Sequence, residues 1–174
     1  MAAPTLLLLK GPPGSGKSTI ANEVGRRLRW PVIDKDLIRD LLPDELGGLS
    51  YEAMLALAAR QLAIGLSVIA DSPLGYGTSY RHAVEMGRSA GARVLILECK
   101  CSDGAEWRRR IEQRAGTGLA SHHATDWAKV EAFCDRTAAD PYDVDVPSLV
   151  VDTAAPLDVT LETVLRWLGG ATDD

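Results

Sequence analysis

Two patterns of apolar residues alternate along the chain. Short unbroken runs, Thr5 to Lys10, Trp30 to Asp34, Leu66 to Asp71, Ala92 to Glu98 and Leu149 to Asp152, read as strands buried on both faces. Between them the spacing turns helical. Ile20, Val24 and Leu28 share one face, as do Tyr51, Met54, Leu55, Ala58 and Leu62, and later Leu157, Leu161, Val164, Leu165 and Leu168. Further helices are expected from Asp36 until Pro43 stops the turn, from about Thr78 to Ser89, around Trp107 to Arg114, and from about Asp126 to Thr137. Asp44 to Ser50 and Ser72 to Gly77 read as loops. Strands alternating with helices through short connections predict a three-layer α/β/α fold around a five-stranded parallel sheet. A length of 174 residues predicts one domain.

The sharpest local signal lies between the first strand and the first helix. Gly11-Pro12-Pro13-Gly14-Ser15-Gly16-Lys17-Ser18-Thr19 fits the phosphate-binding pattern G-x-x-x-x-G-K-[ST], in the strand–loop–helix context that pattern requires. Its glycines let successive N–H groups curl around phosphate oxygens, and the helix start adds partial positive charge there. Lys17 is expected at the β- and γ-phosphates of a nucleoside triphosphate and the Ser18 hydroxyl on Mg²⁺.

Three further groups carry candidate chemistry. Asp71 closes an apolar strand, the place of an acid that holds Mg²⁺, although Asp71-Ser72-Pro73 is also good turn chemistry. Asp36 and Arg39 stand three residues apart beyond the second strand: a carboxylate able to take a hydroxyl proton beside a guanidinium suited to phosphate or carboxylate. Asp34 is the rival base. Arg110 and Arg114 stand one helical turn apart, where they can meet charge developing on a transferred phosphoryl group, whereas Arg108 and Arg109 also fit a solvated face. Arg81, on the helix after the third strand, is a candidate for the acceptor pocket. Tyr76 and His122 read as loop residues, and Trp127 as packing with Val130 and Phe133. Ala115 to Thr125, rich in glycine and polar residues, is expected to act as a mobile lid.

Composition changes this picture little. Hydrophobic and charged shares of 46% and 25% are those of an ordinary globular protein, and a net charge of −5 argues against a general nucleic-acid binder. No run is long enough to span a membrane. Cys99, Cys101 and Cys134 fit a reducing, cytosolic compartment, and with His122 and His123 they match no usual zinc spacing.

Together, Gly11–Thr19, Asp36-x-x-Arg39 and Arg110-x-x-x-Arg114 resemble the P-loop small-molecule kinases, a group that includes adenylylsulfate kinase, gluconate kinase, chloramphenicol phosphotransferase, the polynucleotide kinase domain and zeta toxins. The resemblance implies a Mg²⁺-dependent kinase moving the γ-phosphoryl of ATP to a hydroxyl of a small molecule. It implies Asp36 as the residue that activates that hydroxyl, with Arg39 near the acceptor. It also implies that Arg110 and Arg114 close over the ATP phosphates, and that Thr153 to Pro156 lie beside the adenine. A small-molecule acceptor, no membrane partner and a monomer or homodimer complete the expectation. The alternatives are a nucleotide-controlled ATPase switch with a protein partner and a toxin-like nucleotide-sugar kinase. A GTPase is disfavoured, since no Asn-Lys-x-Asp sequence occurs.

Overall fold

A computed structural model describes residues 3–115 and 126–170. The segment expected to act as a lid, with His122 and His123, lies outside the described residues except for Ala115.

Five parallel strands form one sheet in the order β2-β3-β1-β4-β5. They are β1 (Thr5–Lys10), β2 (Val32–Asp34), β3 (Val68–Asp71), β4 (Arg93–Lys100) and β5 (Ser148–Asp152). The helices are α1 (Lys17–Leu28), α2 (Lys35–Leu41), α3 (Ser50–Ala63), α4 (Gly77–Ser89), α5 (Gly104–Ala115), α6 (Trp127–Ala139) and α7 (Leu157–Gly170). Alternation along β1 divides the core. Leu6 and Leu8 face a layer built from α3 and α4, with Met54, Leu55, Ala58, Ala83 and Val84. Leu7 and Leu9 face α1 and α7, through Ile20, Val24, Leu161 and Val164. Complete burial of Leu6, Leu7 and Leu9 explains why β1 is apolar without interruption.

Strand ends are shorter than the apolar runs suggest at β2 and β3, and β4 runs two residues further, taking Cys99 into the sheet. The expected loop at Asp44 to Ser50 is instead a 3₁₀ turn, Asp44–Leu49. Its two glycines disfavour regular helix, but the turn packs beside α2 and α3, and tertiary contact overrides propensity there. Among the described residues no helix is long and apolar enough to cross a membrane.

This order brings the ends of β1, β2 and β3 to one edge. Asp34 and Asp71 are paired in register there, and β1 runs at that same edge into the glycine-rich loop.

Candidate active site

The loop Gly11–Gly16 leaves β1 and enters α1 at Lys17. Gly14 adopts φ +76, and a Cβ there would meet Ile111 Cδ1 at 2.4 Å, so only glycine lets the loop lie against α5. Lys17 is buried and donates from Nζ to Pro12 O at 2.9 Å. Burial pushes its ammonium below the ordinary lysine range, and the charges of Asp71 and Asp36 oppose that shift.

Asp71 is buried at the end of β3. Burial pushes its carboxyl above the usual range, while the Lys17 charge and a hydrogen bond from Ser18 hold it down. Its Oδ2 is buried with no hydrogen-bond partner. A buried carboxylate oxygen without a donor, next to a hydroxyl and a lysine, fits a hard cation that takes oxygen ligands, as Mg²⁺ does.

Asp34 and Asp36 occupy different positions. Asp34 is the cap of α2: its Oδ1 accepts the N–H groups of Asp36 at 2.7 Å and Leu37 at 3.3 Å. Asp36 lies in the first turn and pairs with Lys35 Nζ at 2.6 Å. Its charge acts on both Lys17 and Arg114. Arg39 turns toward the 3₁₀ turn, where Nη2 meets Asp44 Oδ1 at 3.2 Å and the guanidinium covers Gly47.

Arg110 and Arg114, both on α5, are held differently. Arg110 is held by Glu106 at 2.9 Å and by Thr153, with Nη1 on Oγ1 at 3.1 Å and Nη2 on the carbonyl at 2.8 Å. Hydrogen bonds from Arg109 and Arg110 keep the Glu106 carboxyl at about 2. Arg114 is half-buried; burial lowers its pKa, and the charges of Asp71 and Asp36 oppose the shift. Thus the charges of Lys17 and Asp71 act on each other, those of Asp36 and Arg114 bear on them more weakly, and Arg110 is held to Thr153 beside the loop.

A cavity of about 480 Å³ opens beside the loop, lined by Gly14, Gly16, Thr19, Arg109, Arg110, Thr153 and Leu157 among others. Thr153 is buried at its wall, its hydroxyl 2.8 Å from Ser15 O and 3.0 Å from Lys100 O. Pro156 is exposed and its carbonyl accepts the Thr160 N–H at 3.1 Å, so its neighbours Ala155 and Leu157 form the lining. Arg81 lines a cavity with Tyr80, Arg88, Tyr142 and Asp145, and its guanidinium lies by Gly77 at the start of α4; Tyr142 also lines a second cavity with Gly11 and Pro12. Tyr76 is 37% exposed and meets Phe133 edge-to-face. Trp127 packs on Trp107, with ring centroids 5.1 Å apart.

Pattern reading missed Trp107, Ile111 and Gly47. Trp107 and Ile111 stand one turn apart on α5, a spacing that could have marked a second, apolar face on the arginine helix. Nothing in the sequence around Gly47 announces that it must make room for Arg39.

A family model described as AAA domain matches residues 6–138. The chain belongs to the AAA-domain family. No curated protein sequence matches it. Solved structures share its fold. A candidate kinase from Chloroflexus aurantiacus j-10-fl is 22% identical, over 97% of this chain and 98% of that one, with a TM-score of 0.77. Chaetomium thermophilum Kti12, solved with ADP-AlF3, is 16% identical over 96% and 98%, with a TM-score of 0.72. Mycobacterium tuberculosis APS kinase CysC, solved with AMPPNP and APS, is 18% identical over 97% and 99%, with a TM-score of 0.66. The shared architecture is that of the P-loop kinases.

Proposed function

We propose that the AAA-domain chain is an ATP-dependent kinase that transfers the γ-phosphoryl group to a hydroxyl of a small-molecule acceptor. The observation that carries this reading is the buried Lys17 and the unpartnered Asp71 Oδ2 at the end of the glycine-rich loop and β3, with α2 and its Asp36 starting from the neighbouring strand at the same sheet edge. A passive nucleotide binder has no need of a carboxylate there. A hydroxyl nucleophile gains about 10²–10⁴-fold from a positioned base and water gains likewise, so acceptor-dependent turnover is what separates a kinase from a hydrolase.

In this reading the loop N–H groups and Lys17 hold the β- and γ-phosphates, and the base lies in the cavity beside Arg109 and Leu157. Ser18 and Asp71 would hold Mg²⁺, which would supply positive charge to neutralise the phosphates. Asp36 accepts the proton of the acceptor hydroxyl as its oxygen bonds to the γ-phosphorus and the bond to ADP breaks. Arg114, with Arg110 behind it, meets the negative charge spread over the transferring group. Arg39 orients the acceptor from the outer side of α2. The test is to incubate the protein with Mg-ATP and fractionated cell extract and look for new phosphorylated metabolites. A new phosphorylated metabolite formed with ADP in a protein-free fraction supports a kinase, and ADP release with no such product in any fraction sinks it.

A second reading, a nucleotide-controlled ATPase with a protein partner, is favoured by the exposed leucines Leu37, Leu41, Leu46 and Leu49 beside the proposed acceptor side. The fold shared with Kti12 is compatible with it. It predicts ATP turnover stimulated by a protein and by no small molecule.

A further inference from the structure

A cradle for phosphate works best when its N–H groups face inward before the anion arrives. A trans peptide is planar, so a carbonyl and the N–H that follows it point in opposite directions. A side chain that holds a loop carbonyl outward therefore turns the next N–H inward. Two side chains outside the motif grip the loop in this way. Trp107 Nε1 donates to Pro13 O at 2.8 Å, which orients the Pro13–Gly14 peptide. Thr153 Oγ1 lies 2.8 Å from Ser15 O, which orients the Ser15–Gly16 peptide. The Ser15 N–H, by contrast, turns back to Pro12 O at 3.2 Å.

We propose that Trp107 and Thr153 are positioning residues that preset the Gly14 and Gly16 N–H groups toward bound phosphate. The inference rests on the nucleotide reading given above. Both grips are firm. Trp107 is braced edge-to-face by Trp127, and a Cβ on Gly14 would meet its Nε1 at 3.1 Å. Thr153 is anchored through its own N–H to Lys100 O at 2.7 Å, and a Cβ on Gly16 would meet its side chain at 3.1 Å. Arg110 Nη1 donates to the Thr153 hydroxyl, which leaves the hydroxyl proton for a carbonyl. The same arginine thus braces the side of the site and orders one wall of the phosphate cradle. α5 does so twice, since Trp107 and Arg110 are both on it.

The test uses the full chain with inorganic pyrophosphate and adenosine as separate calorimetric probes. Trp107→Phe keeps the ring and loses the donor. Thr153→Val keeps the shape and loses the hydroxyl, and Thr153→Ser retains it. Trp107→Phe and Thr153→Val are expected to weaken pyrophosphate about fivefold each, as for one lost hydrogen bond, with adenosine within about twofold in Trp107→Phe and pyrophosphate close to wild type in Thr153→Ser. In amide NMR, the pyrophosphate-induced shift of Gly14 should shrink in Trp107→Phe and that of Gly16 in Thr153→Val. Pyrophosphate affinity and both glycine shifts unchanged in the two variants would overturn the proposal. So would equal losses for pyrophosphate and adenosine in Trp107→Phe, or a Thr153→Ser variant as weak toward pyrophosphate as Thr153→Val, either of which marks a merely structural role. A wild-type protein that binds neither ATP nor pyrophosphate overturns the nucleotide reading itself, a separate result from wild-type binding that the variants share.

Discussion

Asp34 caps the helix that carries Asp36: one carboxylate oxygen of Asp34 receives the Asp36 N–H at 2.7 Å. The two acids, rivals for one role on sequence grounds, are therefore coupled. Asp34 fixes the start of α2, and so sets where Asp36, one residue into that helix's first turn, stands beyond the end of β2.

Asp36→Asn should leave ATP affinity intact and cut phosphoryl transfer by about 10²-fold or more, since size and shape stay while the base is lost. Asp34→Ala should instead lower stability by about 1 kcal/mol, the usual cost of a lost helix cap, with a smaller loss of transfer. Calorimetric ATP binding beside turnover, with urea unfolding, separates them. Transfer within tenfold of wild type in Asp36→Asn moves the base elsewhere.

Lys17 and Asp71 are both buried and each acts on the other's charge. Removing either alone leaves an uncompensated buried charge, so Lys17→Met and Asp71→Asn should each destabilise the fold. The double variant should recover part of the loss, with a coupling energy of about 1–3 kcal/mol in a urea double-mutant cycle. Transfer should be abolished in all three. Strictly additive stabilities would show that the pair is not coupled.

Gly47→Ala puts a Cβ about where the Arg39 guanidinium lies, 2.1 Å from Cζ. Because that is the far end of a flexible side chain, Arg39 swings away rather than the backbone breaking. The melting temperature should hardly move, and the KM for the acceptor should rise with the KM for ATP unchanged. A matching rise in both would mean Arg39 does not serve the acceptor.

Cys99 is buried in β4, and burial pushes its thiol up to about 12. Only the thiolate alkylates, so at about pH 8 iodoacetamide should label the half-buried Cys101 first, Cys134 more slowly, and Cys99 only after unfolding. Peptide mass spectrometry reads the order. Early labelling of Cys99 would show that β4 opens in the folded state.

Much of the framework was legible because its signals are local. The run Leu6 to Leu9 is apolar at every position because the sheet is covered on both sides, and a buried strand needs no partner to be named. The glycine-rich loop is recognisable because its backbone conformations restrict its own residues. Arg81 shows where local reading ends. Its place on the helix after β3 suggested the acceptor side, and the sequence gives no sign that it shares a cavity with Tyr142 and Asp145. Those residues come from the α6–β5 connection, some sixty positions along the chain, and nothing near Arg81 encodes their approach.

The sequence by itself determined the strand–loop–helix unit at Gly11–Thr19, the alternation of strands and helices, and the presence of acids at the ends of β2 and β3. Each follows from residues within one or two turns of one another, where spacing and backbone preference are enough. Only the tertiary structure decided that Asp34 caps the helix on which Asp36 pairs with Lys35, that Gly47 yields its space to Arg39, and that Trp107 and Thr153 grip the loop from 94 and 138 positions away. Those relations depend on which helix packs over which strand end, a choice made by burial of the whole sheet rather than by any short stretch of chain.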